Sequence, residues 1–218
     1  MIHLYAVAEE VERLPAVAGI GGAPLRCIRV EDVDAIVSEH DSPELEATEE
    51  AVLAHARVVE ALVAASVALL PAQFGRGFSG EPVLEAALRG ELDALRSALA
   101  RVRGRVELGL RVIGGDATEA AVTPTSGRAY MEARLEAAAR AERLARDLHE
   151  PLAAAAAASV HSVGAAPRLL LSGSYLVGAD EVERFRTQVT RLEADYPELT
   201  FVCTGPWPPY SFATAGET

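Results

Sequence analysis

Hydrophobic residues fall on every second position of RVELGLRVIGG, where Val106, Leu108, Leu110 and Val112 point one way and charged or small residues the other. That period predicts a strand. Elsewhere the period lengthens to three or four. Val52, His55, Val59, Leu62 and Ser66 form one such series, and Leu84, Leu88, Leu92, Leu95 and Leu99 another, so each predicts a helix with one core-facing stripe. The first helix is expected to start at Ser42-Pro43-Glu44, with Ser42 as cap and Pro43 at its first position. The second is expected to run from Pro82 to Val102 and to end at Gly104.

The remaining segments fit between these. IHLYAVA opens the chain with strand-type residues, EEVERLPAV predicts a short helix, and GIGGAP a turn. LRCIRV and VDAIVSEH, parted by the polar pair Glu31-Asp32, predict a hairpin, and VALLPAQF a short strand ending at Pro71. After strand RVELGLRVIGG comes a loop-like stretch, DATEAAVTPTSG. A long helix over Arg128–Leu148 is next, which Pro151 should kink or break before the alanine run Ala153–Ala158. ASVHSVGAAP and RLLLSGSYLVG predict strands, ADEVERFRTQVTRLEADYP a helix and ELTFVCTG a last strand. From Arg105 the order is therefore β-α-β-β-α-β, the ferredoxin-like pattern of a sheet with two helices on one face. The fold class expected is α+β in two domains, a smaller mixed-sheet domain over 1–104 and a ferredoxin-like domain over 105–218 that carries the proline- and aromatic-rich tail.

The 218 residues suffice for two cores, and the net charge of −12 disfavours nucleic acid, whose phosphates are bound by clustered cations. All twenty basic residues are arginine and are interleaved with acids, as on solvated faces. The longest apolar stretch, ALVAASVALLPAQF, is too short to cross ~30 Å of hydrocarbon and contains a proline. MIHLYAVAEE has no basic leader, so the expectation is a cytoplasmic protein in which Cys27 and Cys203 are reduced and buried.

One stretch invites a cofactor reading. FGRGFSG contains G-x-G-x-x-G between an apolar run and a helix, the order of a dinucleotide-binding turn. The helix, however, opens on Glu81 and Pro82: a carboxylate stands where a phosphate would sit, and one N–H donor is missing. Asp116 also comes far too late to hold a ribose. His3, His40, His55, His149 and His161 lack metal-ligand spacing, and LLLSGSYLV is not a nucleophile elbow. His55 lies on an apolar helix face and is expected to be a hydrogen-bonded core residue. No catalytic, metal or cofactor site is expected, and the chain is not read as an enzyme.

The least ordinary segment is CTGPWPPYSFA, which sets Trp207, Tyr210 and Phe212 among three prolines. Prolines stop a strand and stiffen the backbone beyond it. These aromatics are expected to act mainly as a structural cover, with an exposed partner anchor as the competing reading. GPWPPYSF resembles the C-terminal signature of the gas vesicle protein F/L family. HARVVEALVAASVALLPAQFGRGF, with His55, a Leu-Pro step and Phe74-Gly75, is similar to its other signature, departing only at Arg76, where a small polar residue is expected. HLYAV and LLLSGSYLV fit as well. The resemblance implies a non-catalytic vesicle component, cytoplasmic and vesicle-associated, that acts in assembly by contacting the hydrophobic gas vesicle shell protein and other accessory vesicle proteins. The alternative expectation is a ferredoxin-like regulatory domain that binds a small metabolite.

Overall fold

The computed structural model describes residues 1–114, 126–166 and 168–213. They form two compact units: Met1–Val106 together with the chain from Trp207 onward, and Glu107–Pro206. The tail expected with the second half thus belongs to the first. Its 3-10 turn, Tyr210–Phe212, packs against a strand there, Phe212 is buried, and the Arg101 guanidinium donates to the Phe212 carbonyl at 2.9 Å.

The sheet of the first unit is built on β1 (Ile2–Ala8), buried along its whole length. β1 pairs antiparallel with β3 (Val33–Glu39), β4 (Leu69–Pro71) and the two-residue β5 (Gly77–Phe78), while β2 (Arg26–Val30) pairs with β3. The order is β2-β3-β1-β4. Glu31 takes a left-handed φ of 55° in the expected tight turn between β2 and β3. The short helix expected in EEVERLPAV is absent. Asp34, fully buried, accepts two hydrogen bonds from Arg29 (2.7 and 2.8 Å) and one from the Val11 N–H (2.9 Å), which lays that segment along the hairpin instead of letting it coil.

Helix α1 covers Glu49–Ala65, starting later than Ser42. Ser42 closes a local turn with Glu44 (Oγ to carbonyl, 2.6 Å), whereas Thr48 accepts from the Ala51 N–H at 3.2 Å and is followed by two acids. Capping residues and turn residues share a chemistry, and here the turn wins at Ser42. Alanines 51 and 54 join His55, Val58, Val59 and Leu62 on the buried face, while Val52 is exposed. The second expected helix is two: α2 (Glu81–Gly90) and α3 (Leu92–Val102), bent at Gly90-Glu91 with Leu84, Leu88, Leu95 and Leu99 still buried.

The second unit runs β6 (Arg105–Gly114), α4 (Gly127–Ala153), β7 (Ala158–Ala166), β8 (Leu169–Gly178), α5 (Val182–Asp195) and β9 (Leu199–Trp207). Its sheet order is β7-β8-β6-β9, with α4 packed on β7 and β8, and α5 on β8 and α4. Most of the loop-like stretch before α4 lies outside the described residues. Pro151 does not break α4; it sits in the last turn, where the Ala154 N–H bonds the Glu150 carbonyl and the helix ends anyway. Both cysteines are free, but Cys27 is exposed and Cys203 half-buried, not buried as expected. The Cys27 thiol, pushed up to about 11 by desolvation and the Asp34 carboxylate, is a poor nucleophile at neutral pH.

A candidate partner-binding groove beside a neutral histidine cluster

β1 places His3 and Tyr5 two residues apart, hence on one face, and α1 brings His55 against them. The hydrogen-bond directions follow from the acceptors. His55 Nε2 lies 3.0 Å from the Ala72 carbonyl, which can only accept, so Nε2 carries the proton and Nδ1 is a lone pair. His3 Nε2–H donates to that lone pair at 2.9 Å. His3 Nδ1 is left as a buried lone pair without a partner. A second run starts at the Ile20 N–H, which donates to the Tyr5 hydroxyl (2.9 Å); that hydroxyl shares a hydrogen bond with the Ser38 hydroxyl (2.9 Å), and Ser38 Oγ shares one with His40 Nε2 (2.7 Å). Tyr5 stacks on His55 with centroids 5.3 Å apart, and Phe74 packs at 5.8 Å from both His3 and His55.

Desolvation is the largest influence on the three imidazoles and favours their neutral form, outweighing the Ala72 carbonyl bond at His55 and the Asp41 charge at His40. Burial, then the charges His55 and His40 would carry, hold His3 at about 4. His55 and His40 are also lowered, each mainly by desolvation. His55 is buried and hydrogen-bonded, and the structure joins four further side chains to it that sequence alone does not connect, His3, Tyr5, Ser38 and His40. Their one signal in sequence is the spacing of His3 and Tyr5 along a strand that α1 covers.

The cluster supports a turn. The His55 bond holds Ala72, the Ala72 N–H donates to the Tyr5 carbonyl (2.8 Å), and the Leu4 N–H donates to the Arg76 carbonyl (2.9 Å). Gly75 sits at φ 86°, a conformation closed to most side chains. The other two glycines of FGRGFSG are equally structural. Gly77 pairs with His3 and lies under Met1, whose Cε would be 1.8 Å from an added Cβ, and Gly80 precedes α2. At that helix start the Glu81 carboxylate faces Arg26 at 3.2 Å. Gly75→Ala is expected to lower stability by ~1–2 kcal/mol, the cost of left-handed backbone for a residue with a Cβ. Urea unfolding followed by circular dichroism checks it.

Next to this turn the first unit carries a groove of about 760 Å³, walled by Leu4, Val7, Leu70, Leu95, Phe74 and Tyr210. Of the residues singled out from sequence, Phe74 and Tyr210 thus meet at one groove. His55 stands behind it, under the Phe74 turn, and Phe212 is buried. Trp207 is 47% exposed and is not among the lining residues, whereas Tyr210 lines the groove and Phe212 is buried. Among the described residues no group of three or more metal-ligating side chains converges, and no helix is long and apolar enough to cross a membrane. Gln73, Arg76 and Glu91 also line the groove, so it offers apolar contact and polar anchors side by side.

Comparison with known proteins agrees along the whole chain. A family model described as gas vesicle synthesis protein GvpL/GvpF matches residues 1–214. Gas vesicle protein F2 of Halobacterium salinarum is 32% identical over 216 residues, covering 97% of this chain and 91% of the relative. Gas vesicle protein L of a Streptomyces species is 31% identical over 251 residues, covering 99% and 93%. Among solved structures, GvpF from Anabaena sp. PCC7120 superposes with a TM-score of 0.83 at 17% identity, over 99% of this chain and 97% of the other. GvpF from Microcystis aeruginosa gives 0.80 at 16%, over 98% of each. These two share the α+β fold.

Proposed function

Because the chain belongs to the GvpL/GvpF family of gas vesicle synthesis proteins, we propose that its part in vesicle formation is to hold the hydrophobic shell protein during assembly, without catalysis. What supports this reading is the Phe74–Tyr210 groove, where Leu4, Val7, Leu70 and Leu95 meet two aromatics alongside the polar Gln73, Arg76 and Glu91. A shell subunit that is apolar on one face aggregates unless that face is covered before it reaches the growing wall. A preformed groove shields such a segment at low entropic cost, since turn and tail are already fixed by hydrogen bonds and burial. The chain's negative charge keeps the loaded complex soluble.

Co-expression with a tagged shell protein, affinity capture and size-exclusion chromatography test this reading. The expected result is a discrete soluble complex that weakens at least about tenfold for Tyr210→Ala, a loss of ~1.4 kcal/mol or more from a half-exposed aromatic at the rim. Separate elution, with the shell protein aggregating as it does alone, overturns it. An undiminished complex with Tyr210→Ala leaves binding in place but removes the groove from it.

A further inference from the structure

The groove carries two charges that the protein itself leaves uncompensated. Arg76 belongs to the turn between β4 and β5, and Glu91 to the bend between α2 and α3. Both backbones are pinned. The Leu4 N–H donates to the Arg76 carbonyl at 2.9 Å, and the Arg76 N–H to the Gln73 carbonyl at 3.3 Å. The Glu91 N–H donates to the Leu88 carbonyl at 3.2 Å, and the Glu91 carbonyl accepts from the Leu95 N–H at 2.9 Å. Both side chains are exposed, and among the described residues neither has a hydrogen bond or an ion pair, with the other or elsewhere. Arg26, Arg29, Arg89, Arg96 and Arg103 of the same unit all face carboxylates instead. Arg13, exposed and likewise without a partner among the described residues, is not part of the groove.

We propose that Arg76 and Glu91 determine which segment the groove accepts: an apolar one bearing a carboxylate to meet Arg76 and a cation to meet Glu91. This rests on the reading that the groove holds a stretch of the shell protein, and it names the charges of that stretch. Desolvation makes the choice. A segment lying on Leu88, Leu95 and Tyr210 excludes water from the two charges beside them. A purely apolar segment would cover each charge and give it no partner, which costs binding energy. A matching charge offsets that loss, and the pair is screened less inside the groove than on open surface. Because the two signs differ, a segment inserted in the reverse direction brings like charges together. Arg76 is also where this chain departs from the F/L signature it otherwise resembles, so the cation belongs to its own selectivity.

Capture of tagged shell protein co-expressed with this chain, washed with sodium chloride from about 0.05 M to about 0.5 M, is the test. The wild-type complex is expected to dissociate progressively as salt screens the two pairs. Arg76→Thr and Glu91→Gln are each expected to weaken it roughly two- to fivefold and to lessen its salt sensitivity. Arg76→Glu, which sets like charges together, is expected to weaken it at least about tenfold. Arg13→Glu makes the same change in net charge outside the groove and is expected to behave as wild type. Circular dichroism of every variant is expected to match wild type, since Arg76 and Glu91 hold the turn and the bend through main-chain groups alone. No capture by wild type overturns the shell-protein reading and this inference together. Capture that Arg76→Thr or Glu91→Gln leaves unchanged overturns this inference alone, as does a loss with Arg13→Glu equal to that with Arg76→Glu.

Discussion

Phe212→Ala is expected to destabilise the first unit by ~3–5 kcal/mol, the range for truncating a buried aromatic. Phe212 is 5% exposed, and its 3-10 turn lies against β4. Removing the ring opens a void and loosens the turn whose carbonyl Arg101 holds. Trp207→Ala, at a residue 47% exposed, is expected to cost less than ~2 kcal/mol, because roughly half of its apolar surface is already in water. Denaturant unfolding of both variants separates the two roles. Equal losses would mean that the indole, not the phenyl ring, fastens the tail. An effect of Phe212→Ala below ~1 kcal/mol would mean the site collapses around the missing ring.

Stability is also expected to fall by about 3 kcal/mol as the pH is lowered from 6.5 to about 4. The sign comes from proton binding. His3 is neutral in the folded protein until about pH 4, whereas in the unfolded chain it takes up a proton near 6.5. Between those values the unfolded state binds more protons, so acid pulls the equilibrium toward it, at about 1.4 kcal/mol per pH unit for one group. The stabilisation is fully present above pH 6.5. His55 and His40 act in the same direction. Geometry agrees: a proton on His3 Nδ1 would be buried with no acceptor. His3→Gln supplies an amide donor for His55 Nδ1 but cannot titrate, so its stability curve over that interval should be flatter than that of wild type. A curve as steep as wild type would place the acid sensitivity elsewhere, for instance at His149, which is also held low by burial and by His161.

How much could be read in advance tracks the range of the forces involved. The β-α-β-β-α-β order, the leucine stripe of α2 and α3, and the buried placing of His55 all arise from periodicity within a single element, and they were legible. The start of α1 differs from the expected one because Ser42 and Thr48 offer the same side-chain oxygen. Only the surrounding chain decides which of them caps a helix and which closes a turn. Gly90 breaks a helix whose apolar stripe runs straight through, since a bend there keeps the leucines buried and costs little. The groove was half legible. Tyr210 stands out in its proline- and aromatic-rich segment and Phe74 through the family resemblance, but their meeting depends on a tail packing against β4 that no local rule contains. The His3–His55 bond likewise joins residues 52 apart, and each alone reads as an isolated histidine.

The carbonyl of Phe212 is held by Arg101, 111 residues earlier in the chain. During synthesis, then, the unit that emerges first from the ribosome is finished last. Until the tail arrives, β4 and the hydrophobic bed of Phe212 stay uncovered, while the intervening unit, continuous from Glu107 to Pro206, already has all its strands. Contacts so distant in sequence form slowly, because a long loop must close before they repay its lost entropy. A nascent chain released or cleaved before residue 212 would present a well-made second unit attached to an unsealed first one.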